Sequence, residues 1–248
     1  MSSQAAVKKS NSKKNALAAK TTLDVATVTA VVDEGPLRDA NIVLQQAVRA
    51  SNLFLEMFAE KVANNPKFDA SDLLRAMLVF ACSGLDAAVK QLVQDALSLV
   101  IDVDNGASDQ FQKYVERRLK KDLERTATVS TLDSTFIAKI LVQPDPRRAL
   151  ISAHTDALIG DSLQSRDQLS KVAAQFAIRN DEVISDDKRT VRAFTVRNEI
   201  VHEMDVDLSH EKTRRERKAH EMIEYSEEIL SIGARFINAV GVRLKPEK

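Results

Sequence analysis

The run from Ser71 to about Val100 constrains this chain more than any other stretch. Leu73, Leu74, Met77, Leu78, Phe80, Ala81, Leu85, Ala88, Val89, Leu92, Val93, Leu97 and Val100 leave little polar surface on any side of a helix. A helix that is apolar all round must be covered all round, so the rest of the chain has to wrap it. Ser71 is the expected N-cap. Gly (6) and Pro (5) are too scarce in 248 residues for a turn-dense all-β fold, so the covering elements are expected to be helices too. Within the run, Asp86 stands among small and apolar residues. A buried acid is costly unless paired. Asp86 therefore either orients a cationic or imidazole group elsewhere or sits partly exposed on its helix.

Periodicity and punctuation supply the partners. Pro36 opens a helix to about Ala63, with an apolar stripe through Leu37, Leu44, Val48, Leu55 and Phe58. Asp102–Ser108, which contains Asn105-Gly106, is expected as a loop, followed by a helix over Asp109–Arg125 and a shorter one over Leu132–Leu141. Asp145 before Pro146 starts a helix to about Ile159, closed by Gly160. Ser165 with Gln168 three residues on is a capping-box pattern opening a helix to about Arg179. Asn180–Ser185 is a polar connection. Ser185 is the expected cap of a helix reaching about Met204, and Ser209 of the last helix, His210–Val240. Leu23–Val32 is compatible with extended chain or a helix start. Residues 1–22 carry five Lys and no acid, and are expected to be a disordered basic tail. That tail is either a loose phosphate-binding arm or simply solvated. Residues 23–242 form one helical domain in this view, and 243–248 a charged tail.

Lys+Arg and Asp+Glu both number 36, so no global charge argues for nucleic acid; any such argument must be local. The one cysteine, Cys82, lies in the apolar run, which excludes an intrachain disulfide and fits a small buried residue in a reducing, cytoplasmic compartment. No apolar leader core follows the basic N-terminus, and no run approaches about 18 consecutive apolar residues, so no signal peptide or membrane span is expected. No Gly-rich phosphate loop and no metal-ligand spacing is present, and the four His (154, 202, 210 and 220) are scattered. Neither cofactor nor metal is expected.

The constellation that suggests chemistry lies in Val191–Asp205, VRAFTVRNEIVHEMD. On a helix turning about 100° per residue, Phe194, Asn198, Val201 and His202 share one arc of about 80–100°, with Arg197 at its flank. Ala193, Val196 and Ile200 form a second apolar stripe nearly opposite. Such a helix must be covered on both sides, one of them by another helix of the chain or by a second protomer. An Arg followed by His after four to six positions recurs at Arg147, Arg148, Arg214 and Arg215; Arg197 is set apart by its neighbour Asn198. A histidine with an ordinary pKa near ~6.5 transfers protons at neutral pH, and an arginine offers a permanently charged planar fork to a phosphate. RNA supplies its own nucleophile, the 2′-OH, so these groups are sufficient for its cleavage without a metal. Asn198 would hold His202 or bond the ribose. The alternative is a buried polar network, in which Arg197 pairs with Asp86 or Glu199.

Arg197-Asn198-Glu199-Ile200-Val201-His202 resembles the motif of the HEPN superfamily, an Arg, a polar residue often Asn, and a His after four to six positions. The following Glu203–Asp205, the long C-terminal helix and the apolar second helix with Asp86 look like HEPN proteins as well. The resemblance implies an all-α, HEPN-like helical bundle with additional helices, commonly dimeric. It implies a metal-independent endoribonuclease of the toxin–antitoxin or antiviral kind, with RNA as substrate and a protein antitoxin or defence partner. The candidate catalytic residues are Arg197, Asn198 and His202, supported by Asp86 and Glu199. Lys212, Arg214, Arg215, Arg217 and Lys218 either contact the RNA backbone beside the site or form the exposed face of the last helix. Some HEPN members only bind, so the alternative function is a non-catalytic RNA- or protein-binding module.

Overall fold

The computed structural model describes residues 20–124, 138, 140–208 and 212–245. Most of the basic tail, most of the expected Leu132–Leu141 helix and the expected cap Ser209 lie outside these residues. The described chain forms eight helices: α1 (Arg38–Asn64), α2 (Ser71–Val103), α3 (Asn105–Glu124), α4 (Pro146–Ile159), α5 (Arg166–Gln175), α6 (Asn180–Val183), α7 (Asp187–Glu203) and α8 (Ala219–Arg243). Among the described residues the only β-pairing is an isolated antiparallel bridge between Val206 and Arg214. The all-α class follows.

α2 is the axis of the fold. Leu74, Met77, Leu78, Leu85, Leu92 and Leu97 are fully buried, and each such side chain contributes roughly 1.5–3 kcal/mol relative to exposure. α1, α8, α7, α3 and α4 all pack on it. By length and mean hydropathy α2 also meets the requirement for crossing a bilayer, which a search for uninterrupted apolar runs misses. Gly84 lets α1 come close to α2, and Gly233 lets α8 come close to α1. A Cβ on Gly84 would lie 2.1 Å from Ala47 Cβ, and one on Gly233 would lie 2.8 Å from Leu44 Cδ1.

The N-terminal segment is extended and lies along α8. Asp24 N–H donates to Glu227 Oε1 (2.8 Å), Ala26 N–H to Ser231 Oγ (3.0 Å) and Ala30 N–H to Asn238 Oδ1 (3.0 Å). Glu227, Ser231 and Asn238 follow helical spacing on one side of α8, so a polar row there replaces the partners a strand would have. Lys20, at the end of the basic tail, pairs with Glu227.

Several boundaries differ from expectation for local reasons. The loop expected over Asp102–Ser108 shrinks to Asp104. Its N–H closes α2 on Val100 O (2.8 Å), and its carboxylate accepts from Ala107 N–H (2.8 Å), so one residue ends α2 and caps α3. Ser71 is the first residue of α2 rather than its cap, and its N–H donates to Asp69 (2.9 Å). Asp186, not Ser185, caps α7 by accepting from Arg189 N–H (2.9 Å). Asp145 and Ser165 cap α4 and α5 as expected. α5 stops at Gln175, before Ala177 turns left-handed (φ 54°). α8 begins at Ala219, nine residues later than His210.

Gly84→Ala tests the close packing of α1 on α2. The new methyl gains helix propensity but collides with Ala47, and overpacking of this kind costs about 1–3 kcal/mol. We expect a net loss of stability in urea unfolding with an unchanged m value; a stabilised variant would show that the two helices separate freely.

Candidate functional site

α7 lies against α2 and α8 with Thr190, Ala193, Phe194 and Val196 buried. Phe194 therefore turns inward, away from the arc it was expected to share with Asn198, Val201 and His202, which are exposed. Val191 and Thr195 extend this exposed side, and Met204 stands 70% exposed at its end. The structure brings Arg197, Asn198 and His202 to one end of one helix.

Arg197 is half-buried. Its Nη1 donates to Asn198 Oδ1 at 3.0 Å, and its Nε is buried with no hydrogen-bond partner. The guanidinium lies near Cys82, whose thiol burial pushes up to about 12 while the arginine's charge pulls the other way. No carboxylate among the described residues pairs with Arg197. His202 makes no hydrogen bond or ion pair there either.

The two expected supports are engaged elsewhere. Asp86 accepts from Leu163 N–H (2.6 Å) and pairs with Lys90 (3.1 Å), so it fastens the turn between α4 and α5 instead of orienting Arg197 or His202. Glu199 pairs with Arg217 (2.6 Å). The salt bridge from Arg197 to Asp86 or Glu199 is absent for the same reason.

Arg217 belongs to a cluster that the sequence pattern did not disclose. α7 ends where Met204 and Asp205 both turn left-handed (φ 52° and 58°), and the N–H of Asp205 returns to Glu199 O (2.9 Å). The carboxylate of Asp205 has no solvent exposure. It accepts from Arg75 Nε at 2.7 Å and from Arg217 Nε at 3.0 Å, with a further bond from Arg217 Nη2. Burial alone would raise this carboxyl, but the hydrogen bonds from Arg217 and Arg75, with their charges, hold it below the ordinary carboxylate range. Arg75 Nη2 also donates to Arg215 O (2.9 Å), and Arg215 N–H to Asp205 O (2.8 Å). A buried Asp205 thus ties α2 to the segment that returns after α7. The available signal was Arg75, a cation set among Leu73, Leu74, Met77 and Leu78 near the start of the apolar helix.

This changes the candidate RNA-binding cations. Residues 212–218 are not helical. Arg214 pairs with Asp72 (2.6 Å), Arg215 with Glu203 (2.7 Å), Arg217 with Glu199 and Asp205, and Lys218 with Glu221 (3.1 Å). Lys212 alone of the five makes no ion pair with a described residue. The fixed return of this segment instead shapes a shallow cleft of about 380 Å³ beside the end of α7, lined by Asp72, Arg75, Ile200, Val201, Met204 and Arg214. Among the described residues no group of three or more His, Cys, Asp or Glu side chains is placed to hold a metal ion.

No family model, no curated protein and no solved structure matches the chain.

Asp205→Asn keeps the shape and tolerates the left-handed backbone, but leaves two buried guanidinium groups without their shared charge. Breaking a buried pair costs about 3–5 kcal/mol, and we expect that loss in chemical denaturation at neutral pH. The native carboxyl titrates below its unfolded value, so its contribution is complete above about pH 4 and is lost as pH falls toward the native value. The stability gap between parent and variant should therefore narrow in acid; a gap independent of pH would contradict the charge-based account.

Proposed function

We propose that this protein is an endoribonuclease that cleaves RNA by attack of the substrate's own 2′-OH, without a metal, at a site made by Arg197, Asn198 and His202. One observation carries the proposal. Around the end of α7, Arg75, Arg214, Arg215 and Arg217 each have a carboxylate, while Arg197 has none among the described residues and stands beside an exposed Asn198 and His202. The Nε of Arg197 is buried without a partner, so its charge is held by Asn198 alone among the described residues.

The chemistry assigns one role to each group. The 2′-oxygen forms its bond to phosphorus as the bond to the 5′-oxygen breaks. The 2′-OH proton leaves to a base, and the departing 5′-oxygen takes one from an acid. His202 performs one of these transfers. Arg197 places its fork on the non-bridging oxygens, where charge builds up. Asn198 holds the guanidinium through its Oδ1 and leaves its amide donors for the ribose. The products are a 2′,3′-cyclic phosphate and a 5′-hydroxyl.

A homodimer fits this reading. Val191, Val201 and Met204 are 48%, 40% and 70% exposed on the motif-bearing helix and its cap. A two-fold axis near them would cover these side chains and bring a second Arg197 and His202, so that one histidine acts as base and the other as acid. The resemblance of the Arg197–His202 motif to that of HEPN proteins supports a role in toxin–antitoxin or antiviral defence, with a protein partner that restrains the enzyme.

His202→Ala and Arg197→Ala should each lower the rate of RNA cleavage in excess EDTA by about 10²-fold or more, with helicity retained. Cyclic-phosphate ends on the parent's products would identify the 2′-OH route. Equal cleavage by parent and variants would place the activity elsewhere. RNA binding that needs Arg197 but gives no cleavage would favour the binding-module alternative.

A further inference from the structure

α4 is fastened to α2 at both ends, by Arg147 to Asp102 (2.6 Å) and by Leu163 N–H to Asp86 (2.6 Å). His154 lies between these anchors, toward the C-terminal end of α2, whereas Arg197 lies near Cys82. His154 is only 3% exposed. Its ring packs on two aromatic rings of α3, with centroid distances of 4.1 Å to Tyr114 and 5.9 Å to Phe111. Gln175, at the end of α5, is also buried. With Tyr114, Arg117, Leu158 and Lys171 these two residues line a cavity of about 150 Å³. Drug-sized ligands need roughly 300–1,000 Å³. This cavity suits one tetrahedral group and the first atoms attached to it.

Its electrostatics are one-sided. Arg117 Nε donates to Lys113 O (3.2 Å), and neither Arg117 nor Lys171 forms an ion pair with a described carboxylate. Asp156, on α4, acts on Tyr114. Burial pushes the His154 imidazole down to about 4; Gln175 opposes this, and the charges of Arg117 and Lys171 add to it. His154 Nδ1 and Gln175 Oε1 are also buried without a hydrogen-bond partner. An N–H on Nδ1 turned toward Oε1 would satisfy both atoms.

We propose that this cavity is a binding site for the phosphate monoester group of a small molecule, held between Arg117 and Lys171 with His154 donating to one of its oxygens. A neutral imidazole has a single N–H, so it cannot donate to Gln175 and to a ligand together; an imidazolium can. A bound phosphate anion offsets the two charges that oppose protonation; near the His154 midpoint the ester is largely the monoanion, because its second pKa is about 6. Once protonated, His154 donates from Nδ1 to Gln175 and from Nε2 to the phosphate. Binding and protonation are therefore linked, and the site is separate from the Arg197–His202 surface.

Histidine NMR on the full chain tests this, with the His154 signal assigned through His154→Gln. The probes are inorganic phosphate, glycerol 3-phosphate and adenosine monophosphate, with potassium chloride at matched ionic strength. A saturating phosphate probe should raise the His154 titration midpoint by about one unit, which corresponds to about tenfold tighter binding to the protonated form. A response to the two esters but not to inorganic phosphate would support the ester, and adenosine monophosphate failing where glycerol 3-phosphate succeeds would support the small ligand. The double variant R117Q/K171Q should lose the response while keeping its helicity and Tm, because both side chains are exposed. The proposal is overturned if chloride raises the midpoint as much as phosphate, if the double variant responds like the parent, or if none of the three phosphate probes moves the signal.

Discussion

Covering the apolar surface of α2 is the constraint on which the rest of the molecule depends. A helix that buries most of its surface from Leu74 to Ile101, leaving exposed a stripe through Phe80, Ser83, Ala87 and Gln94, is stable only inside a shell, and α1, α8, α7, α3 and α4 supply it. Each covering helix needs one apolar stripe, which leaves its other side free. On α7 the inward stripe takes Thr190, Ala193, Phe194 and Val196, and the outward side presents Asn198 and His202. The candidate chemistry stands on a rigid element held by the core, a firmer support than a loop.

Charges then fix what burial leaves open. The end of α7 is held by the desolvated Asp205 between Arg75 and Arg217, and the chain returns to α8 over that cluster. A buried ion cluster adds little net stability compared with apolar packing, but its geometry is specific. It sets where α7 stops and therefore where His202 is displayed. The contrast with Arg197 is physical. The guanidinium groups of Arg75 and Arg217 are neutralised within the fold, whereas Arg197 reaches Asn198 and no acid among the described residues.

Much of this was legible in the sequence. The apolar run identified the central helix, but the covering expected on every side is incomplete: a stripe through Phe80, Ser83, Ala87 and Gln94 stays exposed. Asp145 and Ser165 were readable as caps because each satisfies an amide three residues on. The placement of Arg197, Asn198 and His202 together followed from helical spacing. What escaped depended on contacts distant in sequence. Asp86 was read either as a support for the motif or as a partly exposed helix acid; it is partly exposed, and it bonds Leu163, 77 residues away, and Lys90. Residues 212–218 carry the charge pattern of a helix face, yet Arg214, Arg215 and Arg217 are held by carboxylates on other segments, and the chain stays extended until Ala219. Ser185 lost the capping role to Asp186 by one residue, a shift that local chemistry alone does not decide.

The central claim is that the Asn198 and His202 side chains serve a ligand and not the fold. The unfolding free energy of the double variant N198A/H202A, measured by urea denaturation at neutral pH, tests it directly. Surface substitutions of this kind change stability by no more than about 0.5 kcal/mol, so a value near that of the parent is expected. A loss of about 2 kcal/mol or more would mean that the two side chains are part of a structural network, and would contradict the account.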